Sequence, residues 1–181
     1  MSDSIFLDGN SVFLRKLSLD DVTVRYERWL NDRAVTEYLE VGSFPNTISD
    51  IQSFVADTNK NSNMLFLGIF LKENDEHVGN IKLGPIDWVH RRAELGIMVG
   101  EESARGVGVG KESIDLVLRH AFSRLNLHRV SLGVIADHIG AIRCYEKVGF
   151  VREGLYRESF FKDGEMLDTV RMAILASDYP I

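Results

Sequence analysis

The residues best suited to chemistry in this chain form the run Arg105-Gly106-Val107-Gly108-Val109-Gly110, between a strand-like segment and a long amphipathic one. Glycines at alternate positions let a ligand approach the backbone closely. The first-turn amides of the helix that follows, with its dipole, favour an anion. A diphosphate would suit this loop. The common nucleotide loops do not match it: Gly110-Lys111 is followed by Glu112 instead of Ser or Thr, and Arg105 stands where a Walker loop has its first glycine. A Rossmann loop needs two residues between its second and third glycines, whereas only Val109 separates Gly108 from Gly110. A turn without a ligand is the competing reading, and the glycines alone do not separate the two.

The elements that must hold this loop can be read from periodicity. From Lys111 onward, Ile114, Val117, Leu118, Ala121, Phe122 and Leu125 recur at three- and four-residue steps, the stripe of an amphipathic helix. Before the loop, Met64 to Leu71, His77 to Leu83 and Arg92 to Val99 read as three strands of an antiparallel meander, separated by the turn Lys72–Glu76 and a loop around Gly84-Pro85. After the helix, His128 to Ile135 is strand-like and Gly140 to Val148 helical. Phe150 to Phe161 and Met166 to Leu175 then form two strands around the turn Lys162-Asp163-Gly164-Glu165. The first third opens with a strand, Val12 to Leu17. Ser18 with Asp21 signals a helix running to about Leu30, a second helix follows from Asp32 to Leu39, and Thr47 with Asp50 opens a third.

Composition bounds the function. The length of 181 residues, with 45% hydrophobic and 27% charged side chains, is ordinary for one globular domain spanning residues 1–181. A net charge of -6 gives no basic footprint for nucleic acid or an anionic membrane. The lone Cys144 has no disulfide partner and the five histidines lack metal-ligand spacing, so no metal is expected and a reducing cytoplasm fits best. No apolar run approaches the roughly 18 residues of a membrane span, and the N-terminus lacks the basic and apolar pattern of a leader. The sequence is compatible with a homodimer without specifying one.

A second segment decides what the glycine loop binds. His138-Ile139-Gly140-Ala141-Ile142-Arg143-Cys144-Tyr145-Glu146-Lys147-Val148-Gly149-Phe150 is a helix ended by Gly149 before an apolar strand. Here the chain resembles the GCN5-related N-acetyltransferases. Arg105, Gly108 and Gly110 match that family's six-residue pyrophosphate loop, and Ala141, Tyr145, Glu146, Lys147, Gly149 and Phe150 match its second motif. The ending Glu153-Gly154-Leu155, with Asp163-Gly164 and Asp168, looks like the RimJ/RimL-type branch. One position departs: the family's usual Asn is His138, preceded by Asp137.

The resemblance implies a three-layer α/β fold, with a mixed, mostly antiparallel sheet of six or seven strands flanked by helices and a splayed parallel pair, Arg92–Val99 and His128–Ile135. It implies acetyl-CoA as co-substrate and a primary amine as acceptor. Main-chain groups near Ile97, Met98 and Val99 would hold pantetheine, Arg105, Gly106, Val107, Gly108, Val109 and Gly110 the pyrophosphate, and His138 would stand at the Asn contact. Tyr145 matches the general acid that protonates the departing thiolate, with packing between helix and strand as its alternative role. Ammonium groups must lose a proton before attack, and Glu94, alternating onto the same side as Met98, is the candidate base unless a surface cation occupies it. Cys144 reads as core. Acceptor contacts are expected from Trp29, Asn31, Trp88, His90 and Phe160, although Trp29 equally suits a core anchor. Nucleotide-linked amino sugars, protein N-termini and small amines all remain open as acceptors, and a non-catalytic CoA-binding module is the alternative from another class.

Overall fold

The computed structural model describes residues 4–180. Its strands are β1 (Leu7–Asp8), β2 (Val12–Arg15), β3 (Leu65–Leu71), β4 (His77–Asp87), β5 (Arg92–Val99), β6 (Arg129–Ile135), β7 (Val151–Lys162) and β8 (Glu165–Leu175). The helices are α1 (Val24–Asn31), α2 (Arg33–Thr36), α3 (Ile48–Thr58), α4 (Val109–Ser123) and α5 (Ile139–Val148). The strands form one sheet in the order β1-β2-β3-β4-β5-β6-β8-β7. Every pairing is antiparallel except β5 with β6. This is the expected mixed sheet with one parallel pair. It has eight strands instead of six or seven because Leu7–Asp8, too short to show a period, adds to its edge.

Alternation within the strands sorts the apolar side chains into two cores. In β3, Leu67 and Ile69 face one side while Phe66 and Phe70 face the other, so the run Leu65–Leu71 reads as continuously apolar. The larger core joins β2 to β6 and β8 with α4, through Ile114, Val117, Leu118 and Ala121, and with α5, through Ile142 and Val148. The smaller joins Phe13, Phe66 and Phe70 to α1, through Tyr26 and Trp29, and to α3, through Ile51 and Val55.

Three local expectations are corrected. The helix signalled at Ser18 is a single 3-10 turn, Leu19–Asp21, because Asp21 closes the capping box and also accepts two hydrogen bonds from Arg15, at 2.8 and 2.7 Å. Val22 then leaves helical geometry, and Thr23 caps α1 anew. The second helix shrinks to one turn, Arg33–Thr36, capped by the Asp32 side chain. Strand β4 continues through Gly84-Pro85 to Asp87, with a register shift between Leu83 and Ile86 where a loop was expected.

Candidate active site

The site is organised by a strand pair that fails to stay together. β5 and β6 are paired only at Arg92–Arg129, Ala93–Val130 and Glu94–Ser131. Beyond Glu94, β5 keeps β4 on one edge, and beyond Ser131, β6 keeps β8, so a notch opens between them. Along β5 the side chains of Ile97 and Val99 pack on the larger core and that of Met98 on the smaller, leaving main-chain groups to face the notch.

The glycine loop closes the mouth of this notch. Gly106 and Gly108 have φ of +73° and +100°, and a Cβ on either would meet nothing within 4 Å, so the loop is an open cradle in front of the N-terminus of α4. Val107 points to solvent, while Val109 is buried and offers only its backbone. Gly110 lies close to the side chains of Val99 and Ile97. The Arg105 side chain turns inward, donating from Nε to the Val99 carbonyl at 2.9 Å and from Nη2 to the Gly100 carbonyl at 2.8 Å. It thus ties the loop to the end of β5. An amide-lined anion cradle beside a main-chain slot fits the diphosphate and pantetheine of a CoA thioester.

Tyr145 projects from α5, half-buried against the larger core and edge-on to Phe150 at 5.9 Å between centroids. Burial, aided by Cys144, pushes its phenol up to about 12, so it carries its proton at neutral pH. Cys144 is half-buried on the same core, and burial raises its thiol as well. His138 stands at the N-terminus of α5, its ring stacked on Tyr38 at 4.4 Å and 17°. Lys162 lies 4.4 Å from the centre of Tyr38 and pairs with Glu37 at 2.5 Å. Burial, with Lys162, holds the His138 imidazole below its ordinary value against the opposing pull of Glu37. His138 therefore joins α5 to the turn after α2 and to the β7–β8 hairpin.

A cleft of about 580 Å³ lies on the face of the sheet that carries Glu94, where the β5–β6 pairing ends. Glu94 and Ser131 line it, and Glu94 accepts from Arg171 of β8, which crosses β6 to reach it. Arg129 grips Glu153, with Nη1 to Oε1 at 2.6 Å, and Arg92 pairs with Asp87 at 3.2 Å. The partner of Glu94 is thus none of the cations adjacent to it in sequence. Arg129 and Arg171 escaped the sequence reading, which met Glu153 only as part of the family-like ending. The available signal was Arg171 itself, a charge interrupting the apolar run Val170–Ile174.

The expected acceptor residues are not brought together. Trp29 is 2% exposed and donates from Nε1 to Glu101 at 2.9 Å, making it a core anchor. Asn31 is engaged with Glu27 and Asn46, fastening α1 to the following loop. Trp88 and His90 occupy the exposed β4–β5 turn next to the cleft, with Trp88 donating to Asn63 at 2.9 Å and the His90 amide to Asp87 at 2.9 Å. Phe160 lines a second cleft of about 390 Å³, between α2 and the β7–β8 hairpin.

A sheet notched between two parallel strands, with a glycine loop and a helix N-terminus at its mouth, is an arrangement suited to a CoA thioester. Comparison with known proteins agrees. A model of the acetyltransferase (GNAT) domain matches residues 11–151. An uncharacterised N-acetyltransferase, p20 of Bacillus licheniformis, is 27% identical over 92% of this chain and 93% of its own length. The spermidine N(1)-acetyltransferase of Vibrio cholerae is 38% identical over 56% of this chain and 58% of its own length, so that match spans somewhat over half of the relative. A crystal structure of spermidine N-acetyltransferase from Vibrio cholerae in complex with CoA and spermine superposes with a TM-score of 0.84 at 27% identity, covering 93% of this chain and 98% of that one. The chain belongs to the GNAT acetyltransferase family, and its donor is acetyl-CoA. Among the described residues, no helix is long and apolar enough to cross a membrane.

Proposed function

We propose that this chain transfers the acetyl group of acetyl-CoA directly to the primary amine of a small molecule held in the cleft beside Glu94. The observation that carries this reading is the end of the β5–β6 pairing at Glu94–Ser131, which opens the notch at the level of the cleft floor. Acetyl-CoA supplies an activated thioester carbonyl. The amides from Gly106 to Gly110 hold its diphosphate, and main-chain groups at Ile97, Met98 and Val99 hold its pantetheine arm. Glu94, once parted from Arg171, takes the proton that the attacking amine must lose. As the carbon–sulfur bond breaks, Tyr145 gives its proton to the leaving thiolate. Its elevated pKa, produced by burial, keeps that proton available across the neutral range.

The names of the relatives support polyamines as acceptors. The stretch Arg28-Trp29-Leu30-Asn31-Asp32 supports nucleotide-linked amino sugars, and the RimJ/RimL-like ending at Glu153-Gly154-Leu155 supports protein N-termini. Purified protein with acetyl-CoA and a panel of all three classes, read by release of free thiol, tests the proposal. One observation favours a second reading as a CoA-binding sensor: His138 replaces the family's Asn and is stacked on Tyr38. CoA binding without thiol release for any amine would establish that reading and sink the first.

A further inference from the structure

The charges around the cleft are matched pair by pair. Three guanidinium groups and three carboxylates line it, joined as Arg92–Asp87, Arg129–Glu153 and Arg171–Glu94. Such a lining gives a polycation no net attraction, because each added cation meets an arginine as near as a carboxylate. A single positive charge gains little for the same reason. A molecule carrying an amine and an anion a few bonds apart differs, because it can take one member of a pair with each end. Both protein groups then keep a partner, and the exchange leaves no charge alone.

The Arg171–Glu94 pair is built for such an exchange. Glu94 is half-exposed, so the pair is weak in the manner of surface ion pairs. Arg171 passes close over Gly133 on its way to Glu94: a Cβ there would lie 2.8 Å from Arg171 Nη1. The guanidinium carbon also lies 5.4 Å from the centre of the Tyr156 ring, an aromatic face that supports it when Glu94 is released.

Resting on the transferase reading above, we infer that the acceptor is a zwitterion, an amine bearing a nearby carboxylate or phosphate, whose anion is taken by Arg171 as its amine displaces that guanidinium from Glu94. Arg171 would thus select the substrate and free the base in one motion.

The test uses acceptors matched in amine and differing in anion: β-alanine against propylamine for a carboxylate, glucosamine 6-phosphate against glucosamine for a phosphate, and spermidine as the polycation. The anion-bearing member of at least one pair is expected to show kcat/KM about tenfold or more above its uncharged partner, the range of one charge-assisted hydrogen bond. Arg171→Gln should bring that ratio to within about twofold of one, chiefly through KM, and Arg171→Lys should retain part of it. The pair that responds distinguishes carboxylate from phosphate. Turnover without preference for the anion, or spermidine used as well as the best acceptor, would overturn the inference while leaving the transferase reading intact. A preference that survives Arg171→Gln in a protein still binding CoA would also overturn it. Absence of turnover with every acceptor would remove both.

Discussion

On one face of the sheet, α4 and α5 meet apolar side chains from β2 to β6 and from β8. On the other, α1 and α3 cover β2 and β3 and touch His77 at the start of β4 and Met98 on β5, while β6, β8 and β7 carry ion pairs in the open. The covered face fixes geometry. It packs the side chains of β5 and β6 where the two strands part, it holds α5 with Tyr145 against the core, and it anchors the start of α4 behind the glycine loop. The uncovered face has little packing to lose, and its side chains are held by exchangeable charges. Precision on one side and adjustability on the other is the division expected where a constant donor meets a selected acceptor.

The largest expected effect tests whether the covered face supplies chemistry as well as support. On the proposed role, Tyr145→Phe lowers kcat by roughly 10²–10⁴-fold with the Kd for CoA unchanged, because a general acid is lost and no binding contact is. If kcat holds while stability falls, Tyr145 is a packing residue and the covered face is purely structural.

Adjacent residues of β6 compare the two faces directly. Leu132 is 1% exposed in the larger core, and Leu132→Ala should cost about 2–5 kcal/mol in denaturant unfolding. Ser131 lines the cleft, and Ser131→Ala should stay within about 0.5 kcal/mol. Equal costs would mean that the open face is packed in solution by something else.

The covered half of the second face makes a pH prediction. Burial alone would raise the Asp21 carboxyl, but hydrogen bonds from Arg15 and Ser18 outweigh it and hold the group below the usual carboxylate range. A depressed native pKa stabilises the fold fully above the unfolded value of about 3.9, and that stability is lost as pH falls through and below it. Asp21→Asn should therefore cost about 1.5–3 kcal/mol at pH 7 and noticeably less at pH 3, measured by denaturant midpoints.

The same division of faces governs what could be read from sequence. The helix from Lys111 onward and the meander through Leu65–Val99 were legible because burial on one or both faces imposes a period, and the hairpin at Lys162–Glu165 because Asp163-Gly164 marks a turn. The glycine loop and the turn at Gly149 were legible as local backbone features, while the roles given to the loop and to Tyr145 came from the family resemblance. What stayed hidden depends on pairing at a distance. Asp21 stops a helix through Arg15, Trp29 is claimed by Glu101, and Glu94 finds its cation 77 positions away at Arg171. Charges on an uncovered strand leave no period by which to be found, and the cleft beside Glu94 is lined by them.

The smallest stability effect separates the faces most sharply. Gly133 is an exposed position of β6 with an ordinary strand conformation, and an added Cβ would crowd the end of the flexible Arg171 side chain most, at 2.8 Å, and Thr169 Cγ2 next, at 3.1 Å. Gly133→Ala should therefore change unfolding free energy by no more than about 0.5 kcal/mol, as surface substitutions do. The methyl crowds the Arg171 side chain where it crosses β6, so the Arg171–Glu94 contact is displaced without any change in Glu94 or Arg171 themselves. Kinetics should move where stability does not: KM for the preferred acceptor rises by roughly tenfold, while the Kd for CoA stays constant. A stability loss of several kcal/mol would show that Gly133 is packed, and would place the open face in the same category as the covered one.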